Sequence, residues 1–281
     1  MLRASRKQRM ARRLLLKNSI KGAILNKHKN LLWRVFAAII FLGVILSFVK
    51  IGVAVFDLHA GERHSMRFCV VPSENPSGRL IALTFDDGPH PEYTRKLLDL
   101  LDCFSAKATF FAVGKMAEKY PELVKEIDRR GHEIGNHTYD HRILTELSMA
   151  ETGAELERDE QVIASLIGKR PAVFRPPSGR YNPGTVQVAA SMGLFTVLWT
   201  NYSDYGAMRS SEVISNVMAA PKDGDIILLH SGIDATLLAL PTILQQLSGK
   251  DFRFVTVSAL IEANGKGSLR PGLIRSVLAV K

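Results

Sequence analysis

Cysteine is nearly absent: the 281 residues contain two, Cys69 and Cys103. One disulfide is therefore the most the chain can form, and neither residue sits in a setting that suggests a catalytic thiol. No Gly-x-Gly-x-x-Gly run follows a strand candidate, which removes the main reason to infer a dinucleotide fold. Internal repeats and low-complexity tracts are also missing, apart from a basic N-terminal tail. That tail lacks acid altogether: residues 1–34 hold eleven Lys and Arg and no Asp or Glu. Subtracting those eleven charges from the net +10 leaves about −1 on the other 247 residues. The basicity thus belongs to the tail, and a nucleic-acid partner is not expected.

Charge of either sign is absent again from Val35 to Val49, and after Lys50 a second apolar stretch runs from Ile51 to Phe56. The first stretch would rise only about 22 Å as a helix. Residues 35–56 reach about 33 Å if Lys50 snorkels, enough for a hydrocarbon core of about 30 Å. Trp33 stands at the interfacial position, and the Lys/Arg excess puts the N-terminal side in the cytoplasm. The expectation is a single-pass membrane anchor with the catalytic part outside, in the periplasm or at the cell surface. A cleaved signal peptide ending near Gly52-Val53-Ala54 is the alternative, although the preceding basic region is far longer than a signal needs. In this topology Cys69 and Cys103 face an oxidising compartment and can pair, with two buried thiols as the alternative.

With 46% hydrophobic residues the chain can bury one large core. We divide it into a basic tail (1–34), the transmembrane segment (35–56), a linker (57–78), a catalytic domain (79–262) and a C-terminal tail (263–281). A short strand at Met66–Val71 is possible within the linker. In the catalytic domain, seven strand candidates alternate with helical patterns: Leu80–Phe85, Lys107–Val113, His132–Asn136, Ala172–Arg175, Leu194–Thr200, Asp225–Leu229 and Arg253–Val257. Pro91, Pro121 and Pro183 sit at first-turn positions, and Ser148 with Glu151 predicts a capping box. Lys107 is read as a cap for the helix before it. The pattern predicts an α/β fold with a mostly parallel sheet, as a distorted, incomplete (β/α) barrel rather than an open doubly wound sheet.

The chemistry-bearing residues fall just after strand ends: Asp86 and Asp87, His137 and His141, Arg175, Asp204, and His230. In a parallel βα architecture these ends share one rim. His137 and His141 are spaced to share one face of a helical turn, and with a carboxylate they would make a site with open positions that suits zinc, with iron or cobalt as alternatives. One aspartate of the pair can ligate while the other takes a proton, with Arg175 as the cationic partner that tunes it. His230 can serve as an acid, oriented by Asp204. His90 and His132 are read as turn or supporting residues, and Trp199 as core or pocket wall.

Four runs then carry a resemblance: Leu83-Thr84-Phe85-Asp86-Asp87-Gly88-Pro89, Gly131 through His141, Phe174-Arg175-Pro176-Pro177-Ser178-Gly179, and Ile227-Leu228-Leu229-His230. Over residues 79–262 the chain resembles the NodB-homology polysaccharide deacetylases, carbohydrate esterase family four. The resemblance implies a distorted (β/α) barrel and a metal-dependent deacetylase of N-acetylglucosamine polymers or oligomers. It implies Asp86 as base, Asp87, His137 and His141 as metal ligands, Arg175 as the residue that positions Asp86, and His230 as acid with Asp204 beside it. Leu228 is implied to face the acetyl methyl, and a backbone amide near Ser178 to stabilise the oxyanion. The chain departs from the family at Ser178, where many members carry an aromatic residue. It departs again at Asn201-Tyr202-Ser203-Asp204-Tyr205, where Tyr205 alters the pocket wall. Both departures bear on substrate preference. Deacylation of a lipid-linked sugar and silent glycan binding are the competing functions.

Overall fold

The computed structural model describes residues 78–202, 204, 209–265 and 272–274. The basic tail, the anchor candidate at 35–56, nearly all of the linker, Cys69 and Tyr205 lie outside the described residues, so the membrane, disulfide and Tyr205 expectations fall there. Among the described residues no helix is long and apolar enough to cross a membrane.

The chain runs through β1 (Arg79–Gly88), α1 (Thr94–Cys103), β2 (Ala108–Ala112), α2 (Gly114–Lys119), α3 (Pro121–Arg129) and β3 (Glu133–Asn136). There follow α4 (Met149–Ile167), β4 (Val173–Phe174), α5 (Pro183–Ser191), β5 (Phe195–Val197), β6 (Asn201–Tyr202) and α6 (Ser210–Met218). Last come β7 (Asp225–His230), α7 (Asp234–Ser248), β8 (Phe252–Phe254), α8 (Val257–Gly265) and β9 (Leu273–Ile274). The strands form one sheet in the order β6-β7-β1-β2-β3-β4-β5-β9, with β8 beside the start of β1. Each recorded pairing is parallel. No β6–β9 pairing closes the sheet among the described residues, so the architecture is a curled half-barrel covered by helices, as the βα pattern predicted.

All seven strand candidates contain a strand, but the last is strand only at Arg253 and Phe254, and its Val257 opens α8. Two more, β6 and β9, are two-residue pieces too short to carry a periodic signal. Leu273–Ile274 lies in the segment that the sequence reads as a C-terminal tail, yet it pairs with Thr196 and Val197 of β5. The helix signals hold in part. Ser148 and Glu151 form the capping box of α4, and Asn182 caps α5 with Pro183 in its first turn. Pro91 instead lies in the turn before α1, which begins at Thr94.

The central strands are buried on both faces, so their sequences read as continuous apolar runs. Their alternation appears only in the packing. Ile81, Leu83 and Phe85 of β1 join Leu97 and Leu101 of α1 and Ile243 of α7 in the core between sheet and helices. Ala82 points the other way, into a second core with Phe111, Val173, Val197, Ile226 and the α8 residues Val257 and Leu260. Each fully buried Leu or Phe contributes roughly 1.5–3 kcal/mol. The same period of two carries Thr84 and Asp86 onto the inner face with Ala82. Strand β7 follows suit: Ala82, Thr84 and Asp86 are register partners of Ile226, Leu228 and His230. Gly135 is needed where β3 crosses Phe111, because a Cβ there would stand 2.6 Å from the ring.

Candidate active site

Asp86 and Asp87 are adjacent, and in a regular strand they would face opposite sides of the sheet. The β1–β2 register slips between Phe85 and Gly88, and Asp87 adopts φ 67°. This irregularity turns both carboxylates toward one cleft. Asp86 is buried, and its Oδ1 accepts a 2.7 Å bond from Nη1 of Arg175. Arg175 is wholly buried, just past β4. Its guanidinium also donates to Thr84 Oγ1 at 2.7 Å and to the carbonyls of Val197 and Leu198 at 3.3 and 3.0 Å, and it stacks over Phe111 at 4.1 Å. Burial lowers the Arg175 pKa and Asp86 opposes that shift; a guanidinium stays charged regardless. Four acceptors and an aromatic face are what make a fully desolvated cation tolerable.

The next cluster joins Asp87, His137 and His141. Asp87 Oδ1 lies 3.3 Å from His137 Nε2 and 3.2 Å from His141 Nε2, and the three ligand atoms all fall within 4.8 Å of one another. Burial works against ionising Asp87, but hydrogen bonds and attraction from the two imidazoles hold its pKa well below the usual range. The hydrogen bond to Asp87 raises the His141 pKa. The expected helical turn between the histidines is corrected by the structure. Residues 137–141 form an irregular loop with Thr138 and His141 at positive φ. Side chains hold this loop open: Asn136 Oδ1 accepts from Thr138 N–H, and Glu155 accepts from Asp140 N–H. The convergence was legible in the spacing, but the geometry behind it was not.

His137 Nδ1 lies 2.7 Å from the Arg175 carbonyl, which can only accept, so Nδ1 carries the proton. In the neutral imidazole the lone pair on Nε2 then points at a carboxylate oxygen 3.3 Å away. Two acceptors facing each other at that distance repel unless a proton or cation lies between them. Two imidazole nitrogens and a carboxylate therefore fit a divalent cation with open coordination positions.

Beside this cluster, His230 ends β7 as the register partner of Asp86. Asp204 is buried and holds it twice: Oδ1 accepts from Nδ1 at 2.7 Å, and Oδ2 accepts from the backbone N–H at 2.6 Å. Thr236 Oγ1 also donates to Oδ2. Burial lowers the His230 pKa, but the hydrogen bond and charge of Asp204 outweigh it and the net shift is upward. Leu228 lies on the floor of the cleft, and Ser178 sits on its wall at φ 56°. The cleft holds about 760 Å³, and His90, Arg180 and Trp199 also line it.

All described site candidates thus meet at one rim. Sequence reasoning reads His90 as a turn or supporting residue, and it assigns nothing to Thr84, Arg180 or Thr236. Thr84 carried one signal, as a polar residue inside an apolar run. Thr236 and Arg180 carried none. Lys107 is a further correction: its Nζ donates to the Arg130 carbonyl, so it caps α3 across space instead of the preceding α1.

The fold and the site together define a β/α-barrel hydrolase with a place for a divalent cation. A sequence profile of the polysaccharide deacetylase family matches residues 73–197. A peptidoglycan-N-acetylglucosamine deacetylase of Bacillus cereus is 38% identical over 189 residues, 65% of this chain and 88% of the relative. A chitooligosaccharide deacetylase of Azorhizobium caulinodans is 34% identical over 154 residues, 54% of this chain and 73% of the relative. The structure of peptidoglycan deacetylase PdaC from Bacillus subtilis matches with a TM-score of 0.64 and 33% identity, covering 68% of this chain and 94% of that one. The chain belongs to the polysaccharide deacetylase family, and it is a hydrolase of carbon–nitrogen bonds. Asp204 and His230 lie beyond the span that the profile matches.

Proposed function

We propose that this protein removes N-acetyl groups from N-acetylglucosamine-containing polysaccharide or oligosaccharide, releasing acetate, with zinc held by Asp87, His137 and His141. The observation that carries the reading is the placement of Asp86 and His230 as register partners beside the His/Asp cluster. When bound, zinc supplies Lewis acidity, lowering the pKa of water and polarising the amide carbonyl. Asp86, held in place by Arg175, takes the proton of the attacking water. Pro176 and Pro177 have no N–H, and Gly179 and Arg180 donate theirs to Pro176 O and Pro177 O, so Ser178 supplies the donor of this turn for the oxyanion. His230 gives its proton to the departing nitrogen as the C–N bond breaks, leaving acetate and a free amino sugar. Asp204 fixes the tautomer and favours the charged imidazole. Leu228 faces the acetyl methyl.

Acetate release by the zinc-loaded protein from peptidoglycan, chitin oligomers and poly-N-acetylglucosamine tests this reading. Chelation and Asp86→Asn should each abolish release; release that survives both would sink the mechanism. We also propose that residues 35–56 anchor the chain with the barrel outside the cytoplasm, a reading supported by apolar length and flanking charge alone. Recovery of the full chain in the supernatant after alkaline extraction of membranes would refute it.

A further inference from the structure

The charged groups lining the cleft are committed to one another, with one exception. Asp86 is held by Arg175, Asp87 by His137 and His141, and Asp204 by His230 and Thr236. Arg180 also lines the cleft, exposed, and its side chain forms no ion pair among the described residues. Residues 203 and 205–208, close by in sequence to Asp204, include no acid. The backbone at Arg180 is held by the turn. Its N–H donates to Pro177 O at 3.1 Å, and Gly179 before it packs against the ring tip of Trp199, where a Cβ would stand 2.5 Å from the indole. Trp199 lines the same cleft. One wall therefore presents an aromatic surface suited to a sugar ring next to a guanidinium with no counter-ion among the described residues. A guanidinium there pairs best with a carboxylate, through two parallel hydrogen bonds.

We infer that Arg180 selects glycans in which a sugar carries a carboxylate, over neutral N-acetylated glycans. The inference rests on the cleft being the glycan site proposed above. A neutral chitin-type chain leaves the guanidinium unpaired, whereas a glycan bearing a carboxylate, whether as an ether-linked acid or a uronic acid, satisfies it.

The test compares kcat/KM of the zinc-loaded full chain on three substrates: glycan strands bearing ether-linked carboxylates, the same strands with those carboxylates reduced to alcohols, and neutral N-acetylglucosamine oligomers. A strand containing uronic acid separates the two carboxylate sources. Wild type should prefer the carboxylate-bearing strands by about tenfold, the size of one charge-assisted pair at a half-open site. Reduction of the carboxylates, 0.5 M salt, or Arg180→Gln should each erase the preference; Arg180→Lys should keep part of it and Arg180→Glu should reverse it. The readout is a ratio, so a general loss of fold or turnover does not mimic the result. A ratio that Arg180→Gln leaves unchanged overturns the inference. Calorimetric binding of the same ligands to Asp86→Asn separates this inference from the deacetylase reading. Carboxylate-selective binding with no acetate release by wild type sinks only the deacetylase reading, and release without selectivity sinks only the role of Arg180.

Discussion

His132 and His137 stand at the two ends of β3, five positions apart and both buried. At the lower end, His132 Nδ1 accepts from Ala108 N–H at 3.2 Å, and its ring meets Phe110 edge to face. Burial, with Lys107 nearby, pushes its pKa down to about 4. At the upper end, His137 Nδ1 donates to Arg175 O, and its second nitrogen faces Asp87. Residue type and burial are therefore poor guides to role. What separates the two is the end of the sheet on which each lies and what the remaining ring nitrogen meets. The lower end closes the core; the upper end, where strands of a parallel barrel deliver their loops, gathers the polar groups.

The largest test of that contrast is His137→Ala, which should abolish stoichiometric zinc binding and lower acetate release on the order of 10³-fold. His132→Leu should retain the zinc, as metal analysis of both purified variants would read. Equal zinc loss in the two would erase the distinction. Next comes Arg175→Leu, which strips the buried Asp86 carboxylate of its partner. Urea unfolding should show a loss of about 3–5 kcal/mol, the usual cost of leaving a buried charge unpaired.

A smaller effect is expected at Asp204→Asn. Asp204 raises the His230 pKa, and in the proposed reaction His230 acts in its protonated form, so activity should fall as pH rises through that pKa. Removing the carboxylate lowers the pKa, and the alkaline limb of the kcat profile should move to lower pH. An unmoved limb would assign it to another group. In stability the raised pKa acts with the same sign: the His230–Asp204 pair stabilises the fold below the ordinary value of 6.5 and ceases to do so as pH passes the raised one.

The smallest effect returns to His132. Its folded pKa is depressed, so the unfolded chain binds the extra proton between 6.5 and about 4, and stability falls as pH drops through that window. His132→Leu should cost about 1 kcal/mol at neutral pH, because Ala108 N–H loses its acceptor. The variant should also flatten the decline of Tm with acid. An unchanged slope would place the acid sensitivity elsewhere.

Much of this was readable from residue order. Strand positions, the βα alternation and the placement of Asp86, Asp87, His137, Arg175, Asp204 and His230 at or just past the carboxyl ends of strands follow from local patterns of hydrophobicity and turn residues. The four motif runs by themselves point to a deacetylase. Less was readable where geometry depends on distant partners. The His137–His141 loop looks helical by spacing, but Asn136 and Glu155 bend it. Lys107 looks like a cap for its own neighbour, but Arg130 is closer in space. Thr236, in the first turn of α7, reaches Asp204 from thirty-two positions away.

The sequence by itself determined the class of fold, the order of the elements and the identity of the chemical groups, because each rests on interactions among residues a few positions apart. Only the tertiary structure decided which face of an all-apolar strand turns inward, that a register slip brings two adjacent aspartates into one cleft, and that the Arg180 side chain forms no ion pair among the described residues. Those outcomes depend on register between strands and on the balance of charges drawn from the whole chain, and neither quantity exists until the strands are packed side by side.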